Sequence, residues 1–133
     1  MSAVITGSWK SYDYHREHDV LVVSTRGERG FSKVASQSID MWRQIEKECQ
    51  VNSLHKVLIL SEMKGRLKPS DSFQIVEFIS KCKIDPILVL AIVASDPHAY
   101  DDIKFSEAVA KRRRMIFRAF DSEKAAKAWL KMK

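Results

Sequence analysis

The segment Ser95-Asp96-Pro97-His98 contains the three residue types of a serine hydrolase triad. In such a triad the histidine takes a proton from the serine, while the carboxylate orients the histidine. Consecutive residues seldom reach that geometry, and no Gly-x-Ser-x-Gly elbow precedes them. We therefore predict no catalytic residue in this segment, and no enzyme activity for the chain.

A histidine pair and a glycine pair could in principle hold a metal or a nucleotide. His15 and His18 lie three residues apart, and on a strand this spacing points two rings to opposite faces. Gly27 and Gly30 lack the third glycine of a dinucleotide fingerprint and instead predict a turn into a helix. The sequence thus predicts neither a metal nor a cofactor.

Residues 68–74, Lys-Pro-Ser-Asp-Ser-Phe-Gln, have the composition of a helix start. Asp71 and Gln74 have the spacing of a capping box, in which the side chain of each residue accepts a hydrogen bond from the backbone amide of the other. Pro69 keeps the residue before it out of the helix. This interpretation places Ser72 in the first turn of the helix.

The first turn of a helix is physically suited to an anion. Its amides have no partner within the helix, and the positive end of the dipole lies there. Lys64, Arg66 and Lys68 would add positive charge from the preceding loop. We predict that Ser72 lies beside an anion site for a phosphoserine, a ligand's phosphate or a partner's carboxylate. The alternative is that Ser72 is only a neighbour of the cap.

The chain of 133 residues, 45% of them hydrophobic, predicts one packed domain. No apolar run approaches the roughly 20 residues that a membrane span needs. The first ten residues lack the basic start and apolar core of a secretion signal. We therefore expect a cytoplasmic protein in which Cys49 and Cys82 are free thiols.

The net charge of +6 raises the question of a nucleic-acid partner. The dense basic run is Lys111-Arg112-Arg113-Arg114, directly before an apolar segment. Cations in this position are typical of the last turn of a helix, where the dipole is negative. Binding to a nucleic-acid backbone usually draws on Lys and Arg scattered over one face, often with stacking aromatics. A nucleic-acid partner is therefore the least favoured hypothesis.

Hydrophobic spacing predicts the order ββαβαβαβα. The apolar repeats and turn residues predict these elements: strands Trp9–His15 and Val20–Thr25, helix 35–49, strand Val57–Leu60, helix Phe73–Cys82, strand Ile87–Val93, helix Ile103–Arg113, strand Met115–Phe120 and helix Ser122–Met132. Strands that alternate with helices require crossovers, so most of the sheet should be parallel. We predict an α/β domain with about five strands, an antiparallel hairpin at one edge and four helices.

Two helices carry informative apolar faces. Trp42 and Trp129 each lie on their helix's apolar stripe, so both should be buried. The second helix is apolar nearly all round, at Phe73, Ile75, Val76, Phe78 and Ile79. This exceeds one core stripe, and it is consistent with a lipophilic pocket, a subunit interface in a homodimer or an ordinary buried helix.

The closing segment, residues 116–130, reads Ile-Phe-Arg-Ala-Phe-Asp-Ser-Glu-Lys-Ala-Ala-Lys-Ala-Trp-Leu. It resembles the end of the SpoIIAA-like proteins, where a strand ending in Phe is followed by an acidic cap and then Trp-Leu. The order of elements also resembles the STAS domain, the fold of bacterial anti-sigma-factor antagonists. The resemblance implies a protein that binds other proteins without catalysis, and some relatives are proposed to hold lipophilic ligands.

The antagonists carry a phosphorylatable serine after an Asp at the start of the second helix, in an Asp-Ser-Ser-x-Gly-like motif. Asp71 and Ser72 match its first two positions, whereas Phe73 replaces the second hydroxyl residue. Gln74 and Ile75 replace the small residues that follow. The resemblance therefore implies that Ser72 is a possible phosphorylation site.

Binding sites of open parallel sheets lie in the loops at the carboxyl ends of the strands. The predicted loops are Ser61–Ser70 and Ser95–Tyr100, and their polar residues that could bind a partner are Glu62, Lys64, Arg66, Lys68, Asp96 and His98. We expect a cytoplasmic STAS-like interaction or regulatory module with a protein partner. The alternative is a binding protein for a lipophilic or anionic small molecule.

Overall fold

The computed structural model describes residues 5–6, 12–28 and 34–133. Its elements are β1 (Ile5–Thr6), β2 (Tyr12–Glu17), β3 (Val20–Glu28), α1 (Val34–Asn52), β4 (Lys56–Lys64), α2 (Pro69–Ser80), β5 (Val89–Ala94), α3 (Pro97–Arg112), β6 (Ile116–Phe120) and α4 (Glu123–Lys131). The predicted α/β fold, with its order of five strands and four helices, is confirmed, and β1 is an additional two-residue strand. Trp9 and Gly30, which were assigned to the first strand and to a turn, lie outside the described residues.

The strands form one sheet in the order β1-β2-β3-β4-β5-β6. The pairs β1–β2 and β2–β3 are antiparallel, whereas β3, β4, β5 and β6 pair in parallel. The predicted antiparallel hairpin is therefore confirmed. The three parallel crossovers advance in the same direction along the sheet and share one hand, so α1, α2 and α3 pack on the same face.

The two faces of the sheet carry separate cores. Alternation along β4 sends Val57 and Ile59 to the face covered by α1, α2 and α3, and Leu58 to the opposite face. Only α4 among the described helices packs on that opposite face. Trp42 is 2% exposed in the first core and Trp129 is 9% exposed in the second, which confirms the predicted burial of both rings.

The buried side of α4 differs from the predicted one. We predicted a stripe formed by Ala125, Ala128, Trp129 and Met132. Instead Ala126, Trp129 and Leu130 are buried, and Met132 is 76% exposed. Both sets have helical spacing and share Trp129, so the pattern alone did not separate them. Leu130 decides the side, because its branched side chain buries more apolar area than an alanine.

Two predicted turns are also shifted. The hairpin loop was expected to span residues 16–19, but β2 continues through Glu17 and the loop is only His18 and Asp19. Gly27 lies inside β3, where its φ of 136° suits glycine, and is not part of a turn. The rest of the segment predicted as a turn into α1 lies outside the described residues.

The basic run Lys111–Arg114 occupies the end of α3, as predicted. Lys111 and Arg112 form the last turn, and Arg113 donates to Glu77 of α2 at 2.6 Å. Across the part of the chain that the structure describes, no helix is both long and apolar enough to span a membrane.

Candidate functional site

The predicted site lies at the carboxyl ends of β4 and β5, where α2 and α3 begin. Both predicted loops are shorter than expected, because β4 continues to Lys64 and each helix starts at a proline. Proline suits the first helical position, since its fixed φ is helical and its missing N–H has no role there. Pro97 lies within the predicted loop Ser95–Tyr100 but is the first residue of α3, so the predicted loop is wrong from this residue onward. Asp96 caps α3 instead, and its carboxylate accepts from the amide of Ala99 at 3.0 Å.

The predicted capping box of α2 is wrong for the same reason. Pro69 is the first helical residue, so Lys68 is the N-cap and no side chain bonds an amide there. Asp71 becomes the third residue of the helix and not its cap. Its carboxylate still lies in the first turn, where negative charge favours the positive end of the helix dipole.

Ser72 lies between two helices and not at the open end of one. Its side chain is 1% exposed, and its Oγ lies 2.9 Å from the Oγ of Ser106 on α3. The backbone amide of Ser72 is also satisfied, since it donates to the carbonyl of Lys68 at 3.0 Å. The hydroxyl of Ser106 lies 3.3 Å from the carbonyl of Asp102, so it has a second partner. A phosphate on Ser72 would have to separate α2 from α3.

Arg66 forms a two-pronged ion pair with Asp102 of α3. Its Nε donates to Oδ2 at 3.0 Å and its Nη2 to Oδ1 at 2.9 Å. The amide of Leu67 donates to the same Oδ2 at 2.9 Å. Hydrogen bonding to Asp102 raises the pKa of Arg66 above its ordinary value. The guanidinium therefore anchors the β4–α2 loop to α3, and the pair is the strong, geometrically specific kind.

The remaining predicted residues lie around this anchored loop. Glu62 and Lys64 belong to the last part of β4, and Lys68 is the N-cap of α2. His98 is in the first turn of α3. All four side chains are exposed. The structure thus divides the predicted site into a buried group that joins α2 to α3 and an exposed rim.

An exposed aromatic pair lies directly beside the buried group. Phe73, next to Ser72, is 46% exposed, and Phe105, next to Ser106, is 40% exposed. Their ring centroids are 5.8 Å apart and the rings are perpendicular, which is a favoured aromatic geometry. We call Phe73 and Phe105 the aromatic patch. Elsewhere on α2, Val76 and Ile79 are buried in the core.

Sequence reasoning missed three of these residues. Asp102 and Ser106 are buried polar residues one helical turn apart on α3, and Phe105 lies between them. Asp102 lies before the predicted helix start at Ile103, and Ser106 and Phe105 were not among the predicted site residues. The available signal was that Asp102 and Ser106 both lie within a turn of the buried Ile103, which places them near the boundary of the core face.

The other candidate groups do not form a site. His15 Nε2 contacts Glu17 Oε2 at 2.5 Å, while His18 is in the hairpin loop. Within the described ranges, no three His, Cys, Asp or Glu side chains are grouped as metal ligands would be. Cys49 and Cys82 are free, and burial raises the pKa of each thiol to about 12. Both therefore stay protonated and weakly nucleophilic at neutral pH.

The fold and the site together define a small α/β domain in which an exposed aromatic patch lies beside a buried polar contact between α2 and α3. No family model matches the chain, and no curated protein matches its sequence. The resemblance to STAS domains therefore stays a prediction from the residues quoted above.

Proposed function

We propose that the chain is a cytoplasmic, non-enzymatic STAS-like interaction or regulatory module, and that the aromatic patch binds its protein partner. The observation that carries this proposal is the pair of exposed phenylalanines on α2 and α3, beside the Ser72–Ser106 hydrogen bond. The family resemblance supports the absence of catalysis, and the two free thiols support the compartment.

The aromatic patch has the properties of an interface anchor. Phenylalanines that are nearly half exposed regain apolar contact when a partner covers them, and buried aromatics dominate binding energy at interfaces. Lys68, the N-cap of α2, and Lys104, in the middle of α3 beside Phe105, are exposed. An apolar centre with a cationic rim suits a partner whose own surface is apolar and acidic.

Ser72 would connect regulation to this surface. Phosphorylation would replace its bond to Ser106 with a group of charge near −2 at the buried contact between α2 and α3. Asp102 already accepts two hydrogen bonds from Arg66, so among the described residues this contact offers a phosphate on Ser72 no free cation. The two helices would separate, and the distance between Phe73 and Phe105 would increase. Phosphorylation would in this way remove the partner site.

A pull-down from the native host tests the proposal. Wild-type protein should retain a partner that the double variant Phe73→Ser/Phe105→Ser loses. Ile87→Ser is the matched control, because Ile87 is a 49% exposed apolar residue away from the patch. Ser72→Glu should also lose the partner. The proposal fails if the double variant retains every partner that the wild type retains.

The half-buried residues of α2 favour a second candidate, a binding protein for a lipophilic or anionic small molecule. Ile75 and Phe78 pack against the core without being fully covered. An apolar ligand could complete their burial, and so could a second copy of the chain in a homodimer. Native mass spectrometry of the purified protein distinguishes these outcomes. A copurifying molecule supports the ligand, and a doubled mass supports the homodimer.

A further inference from the structure

A side chain accepts a hydrogen bond from the outer edge of β6. β6 is the last strand of the sheet, and among the described residues no strand pairs with its outer side. The amide of Ala119, in the middle of this strand, donates to Oε1 of Glu107 at 2.7 Å. In a strand, amides alternate between the two neighbours, so this amide points away from β5. An amide of this kind is where an added strand would bond.

Glu107 occupies the position of a missing backbone acceptor. It lies on α3, which packs beside β6, and its second carboxylate oxygen accepts from Lys104 at 3.3 Å. The oxygen on Ala119 is at the distance of a normal N–H···O bond between strands. The carboxylate therefore stands in for the carbonyl of a neighbouring strand.

The charges around this edge are mostly positive. Arg118 lies in the middle of β6 and is exposed. Lys111 and Arg112 in the last turn of α3 and Arg114 in the turn before β6 are also exposed, and the acidic Asp121 is exposed just after the strand. A second copy of this chain would bring the same cations against them, and like charges across paired strands are unfavourable. An acidic strand would meet complementary charge.

We propose that β6 is a docking edge for an extended acidic segment of another protein, which adds to the sheet as a further strand. The carbonyl of that segment would replace Glu107 on the amide of Ala119, and its acidic side chains would face Arg118 and the cations before β6. Strand addition of this kind draws its affinity from backbone hydrogen bonds. The inference goes beyond the proposed function, and it concerns a different surface from the aromatic patch.

A labelled peptide tests the docking edge. The probe is a fluorescent peptide in which valine alternates with glutamate, and its binding is measured by fluorescence anisotropy. Wild-type protein should bind it, and Glu107→Ala should bind at least about fivefold more tightly, because a competing acceptor of like charge is gone. Glu123→Ala is the matched control, since it removes the same charge from α4 and should not change the affinity.

Two further measurements separate strand addition from simple charge attraction. Ala119→Pro removes the outward amide without removing a bond to β5, and it should abolish binding. The same peptide with alternate backbone nitrogens methylated keeps its charge and should not bind. In wild-type protein, hydrogen exchange at the Ala119 amide should slow when the unmodified peptide is present.

Equal binding of the methylated peptide, or unchanged binding by a folded Ala119→Pro variant, would overturn the docking edge. The Phe73→Ser/Phe105→Ser variant should bind the peptide as the wild type does. Different variants therefore test the proposed role of the aromatic patch and the proposed docking edge of β6, so that either proposal can be refuted without the other.

Discussion

Removing the hydroxyl of Ser72 and removing that of Ser106 should lower the free energy of unfolding by different amounts. Ser72→Ala removes one hydroxyl, but the Ser106 hydroxyl keeps the carbonyl of Asp102, 3.3 Å away, as a partner. We expect a loss of about 1 kcal/mol, which is typical of a neutral hydrogen bond. Ser106→Ala instead leaves the hydroxyl of Ser72, 1% exposed, without its observed partner. That loss should be about 2 kcal/mol, because an unsatisfied buried group also loses its hydration.

The double variant Ser72→Ala/Ser106→Ala should cost less than the sum of the two single changes. Replacing both partners with apolar groups removes the bond without stranding a hydroxyl, so the expected loss is about 1 kcal/mol. Equilibrium unfolding in urea, followed by the fluorescence of the buried Trp42 and Trp129, measures these differences. Ser80→Ala is the control, since Ser80 is exposed at the end of α2 and should change stability by less than about 0.5 kcal/mol.

Two outcomes would refute this reasoning. If Ser72→Ala costs more than Ser106→Ala, then the Asp102 carbonyl does not satisfy Ser106. If the two single losses add without coupling, then the hydroxyls do not bond each other in solution. Either result would also remove the link that we propose between Ser72 and the spacing of the aromatic patch.

Two further predictions concern ion pairs. Asp102→Asn should lower the free energy of unfolding, because the buried carboxylate accepts hydrogen bonds from Arg66 and from the amide of Leu67. An unchanged midpoint of urea unfolding would contradict this. The hydrogen bond with His15, followed by that from Lys127, lowers the pKa of Glu17 below its ordinary value. A carboxyl group whose pKa is lower in the folded state stabilises the fold at pH values above its unfolded-state pKa of about 4.3. This stabilisation is lost as the pH falls through the folded-state pKa. When the pH falls from 5.5 to 3.5, the free energy of unfolding should therefore decrease less in Glu17→Gln than in the wild type. Equal decreases in urea unfolding would show that Glu17 does not bond His15 in solution.

The order of elements was predictable because most of them have a strong hydrophobic period. The continuous apolar run around Val57 is typical of a strand covered on both faces, and both of its faces are covered. The burial of Trp42 was predictable for the same reason. The helical spacing of apolar residues in α1 extends over five turns and defines its buried side. β1 has two residues, too few to show a period.

The starts of α2 and α3 were missed because the predicted helices begin where the apolar repeat becomes clear, at Phe73 and Ile103. Pro69 and Pro97 each begin a helix, and the residues after them are largely polar, so the apolar repeat becomes visible only a turn later. The position of a helix start also decides which side chain caps it. The N-cap of α2 is Lys68 and not Asp71, where we predicted it, and Lys68 makes no side-chain cap bond.

The buried polar contacts could not be predicted from one sequence. Ser72 meets Ser106 and Arg66 meets Asp102 only because α2 and α3 lie side by side, more than 30 residues apart in the chain. Local patterns report which side of a helix is apolar but not which helix covers it. The exposure of Phe73 has the same origin, since its apolar character alone predicts burial.

The position of α4 has a consequence for folding of the chain. Every described strand precedes α4, and α4 is the only described helix on its face of the sheet. A folding intermediate in which these strands have assembled with α1, α2 and α3 still lacks the cover that Trp129 and Leu130 provide. Until α4 docks, Val22 and Leu58 present an apolar sheet surface to water, and such a surface is prone to aggregation. The docking of α4 is therefore the folding step that ends this exposure.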